Sequence, residues 1–179
     1  MTTTAVELRR FGHEDLQDIR QTLLDVHADA YADEMEDEFN QRFPWFVDHW
    51  GGHPGFSCVI GYDGQGEPVG FAYGAPATPG REWWREHLSE PPADDSTFSV
   101  SELMVRPQWR KTGTAERLHA ALIEDRPEAL AVLLVDPDHP KVQALYEAWG
   151  YRTVGNRQPF PDSPNFAVML RDLRVPTAS

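Results

Sequence analysis

A mixed α/β domain is predicted by three features of the sequence. Phe56 to Tyr62 and Pro68 to Tyr73 are apolar runs separated by Asp63-Gly64-Gln65-Gly66, the pattern of an antiparallel hairpin with a slightly long turn. Phe98 to Val105 and Leu130 to Val135 are buried-looking strands on either side of the helical pattern Thr114 to Glu124, which makes a βαβ unit. The third feature is length: 179 residues suit one compact domain and leave little room for two.

The remaining elements follow in order. Thr4 to Arg10 alternates, with Val6 and Leu8 on one face, and predicts a first strand; Leu16, Ile19, Leu23, Val26 and Ala30 then recur at helical spacing. Asp29 to Glu38 carries six acids and no base. The aromatic cluster Phe39, Phe43, Trp45, Phe46 and Trp50 comes next, interrupted by Pro44, and predicts short helices around a lip. Proline and glycine gather in Gly74 to Gly80, a surface loop by composition. Trp83, Trp84 and Leu88 suggest a short helix before the polar stretch Ser89 to Ser96, which reads as an exposed loop. In the βαβ helix Ala115, Leu118, Ala121 and Leu122 face inward, and His119 is assigned to the surface. Lys141 to Trp149 reads as a helix whose Val142, Leu145, Tyr146 and Trp149 share one face, with Gly150 at its C-terminal cap. Tyr151 to Arg157 and Ala167 to Leu173 are two last strands around the proline-rich loop Pro159 to Pro164, which brings the expected total to about seven.

Composition narrows the function. Hydrophobic residues at 40% and charged residues at 25% are ordinary globular usage and argue against wholesale disorder. With 29 acidic against 16 basic side chains the net charge is -13, which argues against nucleic acid or an anionic membrane as partner and favours a cationic or neutral one. The single cysteine, Cys58, lies in an apolar run, is expected in the core, and fits a reducing compartment. No apolar stretch reaches the roughly 18 to 20 residues of a membrane span, and the N-terminus has no signal-peptide core, so a cytoplasmic location is expected. Metal ligation is not expected: Gly51 and Gly52 break any helical spacing of His49 with His53, and Asp136-Pro137-Asp138-His139 stands alone.

Between the fourth predicted strand and its helix lies Arg106-Pro107-Gln108-Trp109-Arg110-Lys111-Thr112-Gly113-Thr114-Ala115. A turn that delivers a helix N-terminus beside a strand end presents successive N–H groups to an anion, helped by the helix dipole, and Gly113 lets a phosphate approach the backbone. Arg106, Arg110 and Lys111 add positive charge in a chain that has only two lysines and a large acidic excess.

Two motifs in this order resemble those of the GCN5-related N-acetyltransferase (GNAT) family. Its phosphate-loop pattern of Arg or Gln, two residues, Gly, one residue, then Gly or Ala is matched by Arg110, Gly113 and Ala115, and its downstream Leu-Tyr, three residues, Gly-Phe or Gly-Tyr by Leu145, Tyr146, Gly150 and Tyr151. The match is close over Ser101 to Gly155, about a third of the chain. It departs from the family at Lys111, where glycine is usual after the motif arginine, and at His139, where asparagine is usual before the last helix. The resemblance implies a mixed, mostly antiparallel sheet with helices on both faces and a splayed gap between the fourth and fifth strands. It further implies one acetyltransferase domain over residues 1–175; residues 176–179, at the chain end, read as a frayed tail.

What the resemblance implies chemically is acetyl transfer from acetyl-coenzyme A to a primary amine by direct attack in a ternary complex. The backbone at Met104 and Val105 would pair with the pantetheine arm. The pyrophosphate would lie on the amides of Lys111, Thr112, Gly113, Thr114 and Ala115, with Arg106 and Arg110 beside it; His139 would make a further cofactor contact. Tyr146 is the candidate proton donor to the departing thiolate, the alternative being that it packs on the apolar face of its helix. Glu102, two residues from Met104 on the same strand face, is the candidate base; His139, whose imidazole suits proton relay, is the rival. The acceptor would meet Tyr31 to Trp50, Trp83 to Pro92 and Gln158 to Asn165. The acids between Asp29 and Glu38, with Trp45 and Trp50, would suit a small cationic amine. A protein or peptide acceptor, or a non-catalytic acyl-coenzyme A-binding module, are the other readings, and exposed tryptophans would also suit a homodimer.

Overall fold

The computed structural model describes residues 5–34, 36, 38–161 and 163–174, without the side chains of Glu38 and Phe39. Strands form at β1 (Glu7–Gly12), β2 (Ser57–Tyr62), β3 (Pro68–Pro76), β4 (Thr97–Val105), β5 (Leu130–Val135), β6 (Arg152–Arg157) and β7 (Phe166–Asp172). Helices form at α1 (Leu16–Ala30), α2 (Glu38–Gln41), α3 (Phe43–Gly51), α4 (Thr114–Ile123) and α5 (Pro140–Ala148). The strands make one seven-stranded sheet in the order β1-β2-β3-β4-β5-β7-β6. Its ladders are antiparallel for β1–β2, β2–β3, β5–β7 and β6–β7 and parallel for β4–β5, the mixed and mostly antiparallel α/β sheet expected. None of the described helices is long and apolar enough to cross a membrane.

Among the described residues, those up to 75 with 101–124 make up one compact unit, and 76–100 with those from 125 onward a second; β4 has residues in each. In the first, the stripe Ile19, Leu23 and Val26 of α1 and Phe43 and Val47 of α3 buries against Cys58 and Ile60 of β2, Phe71 and Tyr73 of β3, and Met104 of β4. Leu23, Val26 and Val47 have no accessible surface, so truncating Leu23 to Ala costs about 2–5 kcal/mol. Gly70 lets β3 close on β4: a Cβ there would stand 2.6 Å from the Met104 carbonyl oxygen. In the second unit Trp84, Leu130, Val132, Val168 and Leu170 form the core. The parallel ladder there has three pairs, Thr97↔Leu130 to Ser99↔Val132.

Several expectations are corrected. The first strand lies later than Thr4 to Arg10, because pairing with β2, from Glu7↔Tyr62 to Gly12↔Ser57, sets its span. Gly74 to Pro76 extends β3 where a loop was expected, since Gly74 pairs with Ser57. Around Trp84 there is a single 3-10 turn, Arg85–His87, and Trp84 is fully buried with its indole N–H donating to Thr97 Oγ1 at 2.9 Å. His119 is buried, not at the surface, because the covered stripe of α4 is wide enough to take in Thr114, Leu118, His119 and Leu122. Val142 and Leu145 are 43% and 44% exposed. α5 is fixed instead at its C-terminal end, where Tyr146 meets Trp149 and Tyr151 edge-on at 5.2 and 5.7 Å. The expected tail 176–179, Asp37 in the acidic run and Asp162 in the last loop lie outside the described residues.

Candidate active site

The turn between β4 and α4 has the conformation that its glycine predicts. Gly113 is the N-terminal cap of α4 at φ 83°, and a Cβ there would meet open space. The first amides of a helix have no intrahelical acceptor, and no side chain caps this helix. Its N-terminus therefore presents uncapped N–H donors, which fits a phosphate group. Thr112 Oγ1 donates to the Trp109 carbonyl at 2.5 Å and lies 2.8 Å from Thr114 Oγ1, which fixes the turn from inside. Lys111, where the sequence departs from the motif, has φ 62°. The turn keeps a glycine-like conformation there at a strain of roughly 1–2 kcal/mol.

The two arginines of this segment are tied to the last turn of α1. Arg106 donates from Nε to the Pro68 carbonyl at 2.8 Å and from Nη1 to Asp29 Oδ2 at 3.1 Å; Arg110 Nη2 donates to the Ala30 carbonyl at 2.9 Å. Arg106 is thus held in a half-buried ion pair, while the exposed Lys111 extends from the turn itself. One of the six acids, Asp29, is consequently part of the scaffold. Asp33 and Glu34 lie in an exposed 3-10 turn, and Glu36 is exposed. Trp45 of α3 is 55% exposed and stacks on His49 at 5.0 Å.

Met104 and Val105 are buried at the end of β4, with the Arg106 amide donating to the Val69 carbonyl at 2.8 Å. Glu102 is half-buried, and that burial raises its pKa from 4.5 to about 8. A carboxyl whose pKa lies near neutrality is suited to taking a proton from an amine. Near it Tyr73 is buried, and burial, then the Glu102 charge, push its phenol well above the ordinary range. Cys58, fully buried, is raised by burial and stays a thiol.

In the second unit, Tyr146 is 9% exposed on α5, and its carbonyl accepts the Tyr151 amide at 3.1 Å as the chain leaves the helix through Gly150 at φ 100°. His139 is the exposed N-terminal cap of α5; its amide donates to the Asp136 carbonyl at 3.0 Å and its side chain does not cap the helix. Among the described residues no group of three or more His, Cys, Asp or Glu side chains is placed to hold a metal ion.

A turn with this geometry, on a strand carrying a half-buried glutamate, agrees with the outcome of the family comparison: the acetyltransferase (GNAT) family matches residues 16–151. The chain belongs to this family. Solved GNAT-type structures share its fold. A protein described as histone acetyltransferase HPA2 and related acetyltransferase, from Corynebacterium glutamicum, aligns at TM-score 0.66 and 15% identity over 98% of this chain and 100% of that one. A GNAT acetyltransferase from Staphylococcus aureus aligns at 0.63 and 13%, covering 95% and 100%. PaiA N-acetyltransferase from Thermoplasma acidophilum, solved in complex with coenzyme A, aligns at 0.56 and 10%, covering 94% and 99%. No curated protein matches the sequence. As a GNAT member the protein is an acetyltransferase whose donor is acetyl-coenzyme A.

Sequence reading missed the ties of Arg106 and Arg110 to α1, for which a local motif carries no signal. It also missed that Val142 and Leu145 are exposed, the one a turn before Tyr146 and the other next to it.

Proposed function

We propose that this GNAT enzyme acetylates the primary amine of a small cationic molecule, by direct attack of the amine on the thioester within a ternary complex. The half-buried carboxyl of Glu102, raised by burial to about 8 on the strand that runs into the α4 turn, carries the reading. Acetyl-coenzyme A supplies the activated acetyl group. The amides of Lys111 to Ala115, with Lys111 and Arg110 beside them, hold its pyrophosphate; the backbone of Met104 and Val105 aligns its pantetheine arm; Val142 and Leu145 offer exposed apolar surface, and His139 a contact at the start of α5.

Glu102 takes a proton from the acceptor ammonium, directly or through a water, so that the amine nitrogen has a free electron pair. The nitrogen then bonds to the acetyl carbon, the carbon–sulfur bond breaks, and Tyr146 gives its hydroxyl proton to the leaving thiolate. The net products are the acetamide, free thiol and one proton. Asp33, Glu34 and Glu36, exposed with Trp45, favour a cationic acceptor by charge and by cation–π attraction. The cytoplasm, where the donor is made and used, is the compartment this reading expects.

The test is thiol release from acetyl-coenzyme A across aminoglycosides, polyamines, amino acids and basic peptides, with donor titration alongside. Turnover confined to small amines supports the reading. Turnover with basic peptides alone makes the enzyme a protein acetyltransferase, and donor binding without turnover on any acceptor makes it a binding module.

A further inference from the structure

Between α1, α2 and α3, all in the first unit, lies a cleft of about 340 Å3 that the proposed mechanism leaves unused. A cleft of that size takes a small molecule. None of its lining residues belongs to β4, to the α4 turn or to α5, so it contains neither Glu102 nor Tyr146.

The inner part of the cleft is apolar except at one residue. Leu24 and Pro44, half-buried, and the buried Phe43 supply hydrocarbon surface. His27 is 4% exposed and lies flat on Phe43, with ring centroids 3.9 Å apart and planes at 5°. Its ring nitrogens have no hydrogen bond among the described residues. Burial lowers its pKa to about 4, so at neutral pH the ring is uncharged, with one N–H and one bare nitrogen. A buried polar group calls for a partner, and the cleft that His27 lines is where one fits.

The rim decides the charge of that partner. Asp25 is exposed there, and its carboxylate accepts Gln21 Nε2 at 2.9 Å, a neutral donor that leaves its charge in place. No lysine or arginine lines the cleft. Arg20, the one arginine of α1, is held by Asp48 of α3 through bonds of 2.7 and 3.1 Å. On the α2 side Asn40 Nδ2 donates to the Glu34 carbonyl at 3.1 Å, which fastens the acidic turn Ala32–Glu34 to that helix. Negative charge at the mouth of an apolar cleft is complementary to a cation with an apolar body.

We propose that this cleft is a second ligand site, separate from the acetyl-transfer residues, for an organic ammonium carried on an apolar body. The body lies against Leu24, Phe43 and Pro44, and the N–H donors point toward Asp25 and the His27 ring. The inference is independent of Glu102 as the base.

The test is a 1H–13C NMR titration of the full chain with 2-phenylethylammonium, following the ring signals of His27 and Phe43. 2-Phenylethanol, with the same body and no charge, and ethylammonium, with the charge and no ring, are titrated alongside. Saturable shifts at both rings are expected with 2-phenylethylammonium, and binding weaker by about fivefold or more with each of the other two. Asp25→Asn, which removes the charge, should weaken binding about fivefold, and Ala28→Leu, which fills space from an exposed lining position, about tenfold. Thermal melts check that both variants fold. Glu102→Gln should leave the binding unchanged, whatever it does to acetyl transfer. Absence of shifts at His27 and Phe43, equal binding of 2-phenylethanol, or binding indifferent to both cleft variants overturns the inference. So does a Glu102→Gln variant that weakens binding as much as Asp25→Asn, because the ammonium would then lie at the proposed base. Loss of thiol release in Glu102→Gln with the cleft still occupied supports both readings, and unchanged release removes the base role while the second site stands.

Discussion

Helix α4 starts on Gly113 at φ 83°, where an added Cβ would meet open space, with Arg110 and Lys111 just upstream, whereas α5 starts on His139 and Pro140 behind Asp136 and Asp138. Both helices follow a buried strand, so both are strand–turn–helix units with the same dipole sense. At α5 the site is closed to an anion: Pro140 has no N–H to offer, and the Asp136 carboxylate already accepts the Asp138 amide at 3.0 Å. The two starts teach that topology brings a helix N-terminus to the end of a strand, but the residues of the turn decide whether an anion is welcome there. In the proposed function α4 therefore works through its backbone, and α5 through one side chain about two turns past His139, Tyr146.

That division predicts opposite kinetic signatures. Tyr146→Phe removes a proton donor without touching the α4 turn, so kcat should fall on the order of 100-fold while coenzyme A affinity stays within about twofold. Gly113→Val places a β-branched residue at positive φ in the backbone cradle. Coenzyme A affinity, measured by calorimetry, should weaken about 10- to 30-fold, while His139→Val at the other helix start changes it less than about fivefold. If Tyr146→Phe weakened donor binding and left kcat intact, the division of labour would be wrong.

A third effect separates Glu102 from both helix starts. Activity that needs the ionised carboxylate should rise with pH through about 8. Stability should run the other way. Burial holds the folded carboxyl at about 8 against 4.5, so between these values the folded chain keeps a proton that the unfolded chain has lost. The contribution is fully present below 4.5 and declines as pH rises through the window. Glu102→Gln should therefore gain in Tm relative to wild type between pH 5 and about 8, and lose the pH-dependent limb of activity. Thermal melts across pH check the sign.

Much of the fold was legible because its signals are periodic. Leu130 to Val135 reads as a strand in the sequence and spans the same residues in the structure, and the inward Leu118 and Leu122 follow from helical spacing. The α4 turn was legible because glycine and flanking bases have a local physical meaning. The errors fall where tertiary placement overrides the pattern. Val142 and Leu145 belong to an apolar set, yet α5 is held at Tyr146 and Trp149 and leaves them exposed. Arg110 and Arg106 look free in the motif and are tied to Ala30 and Asp29, far away in sequence.

The smallest predicted effect tests whether the α4 turn departs from its motif in chemistry or only in strain. Lys111 has φ 62°, a region glycine occupies freely and other residues at a cost. If the backbone alone forms the cradle, Lys111→Gly relieves that strain, and the gain is partly offset because glycine gives the unfolded chain more freedom. The net should be a stabilisation of about 0.5–1 kcal/mol by denaturant unfolding, with coenzyme A affinity changed less than about threefold. If instead the lysine ammonium neutralises a phosphate, the same variant weakens coenzyme A binding about tenfold, and the loss shrinks as salt is raised. Lys111→Ala separates the two further: it removes the charge and keeps the strain, so a strain-only role predicts no stability gain and no loss of affinity.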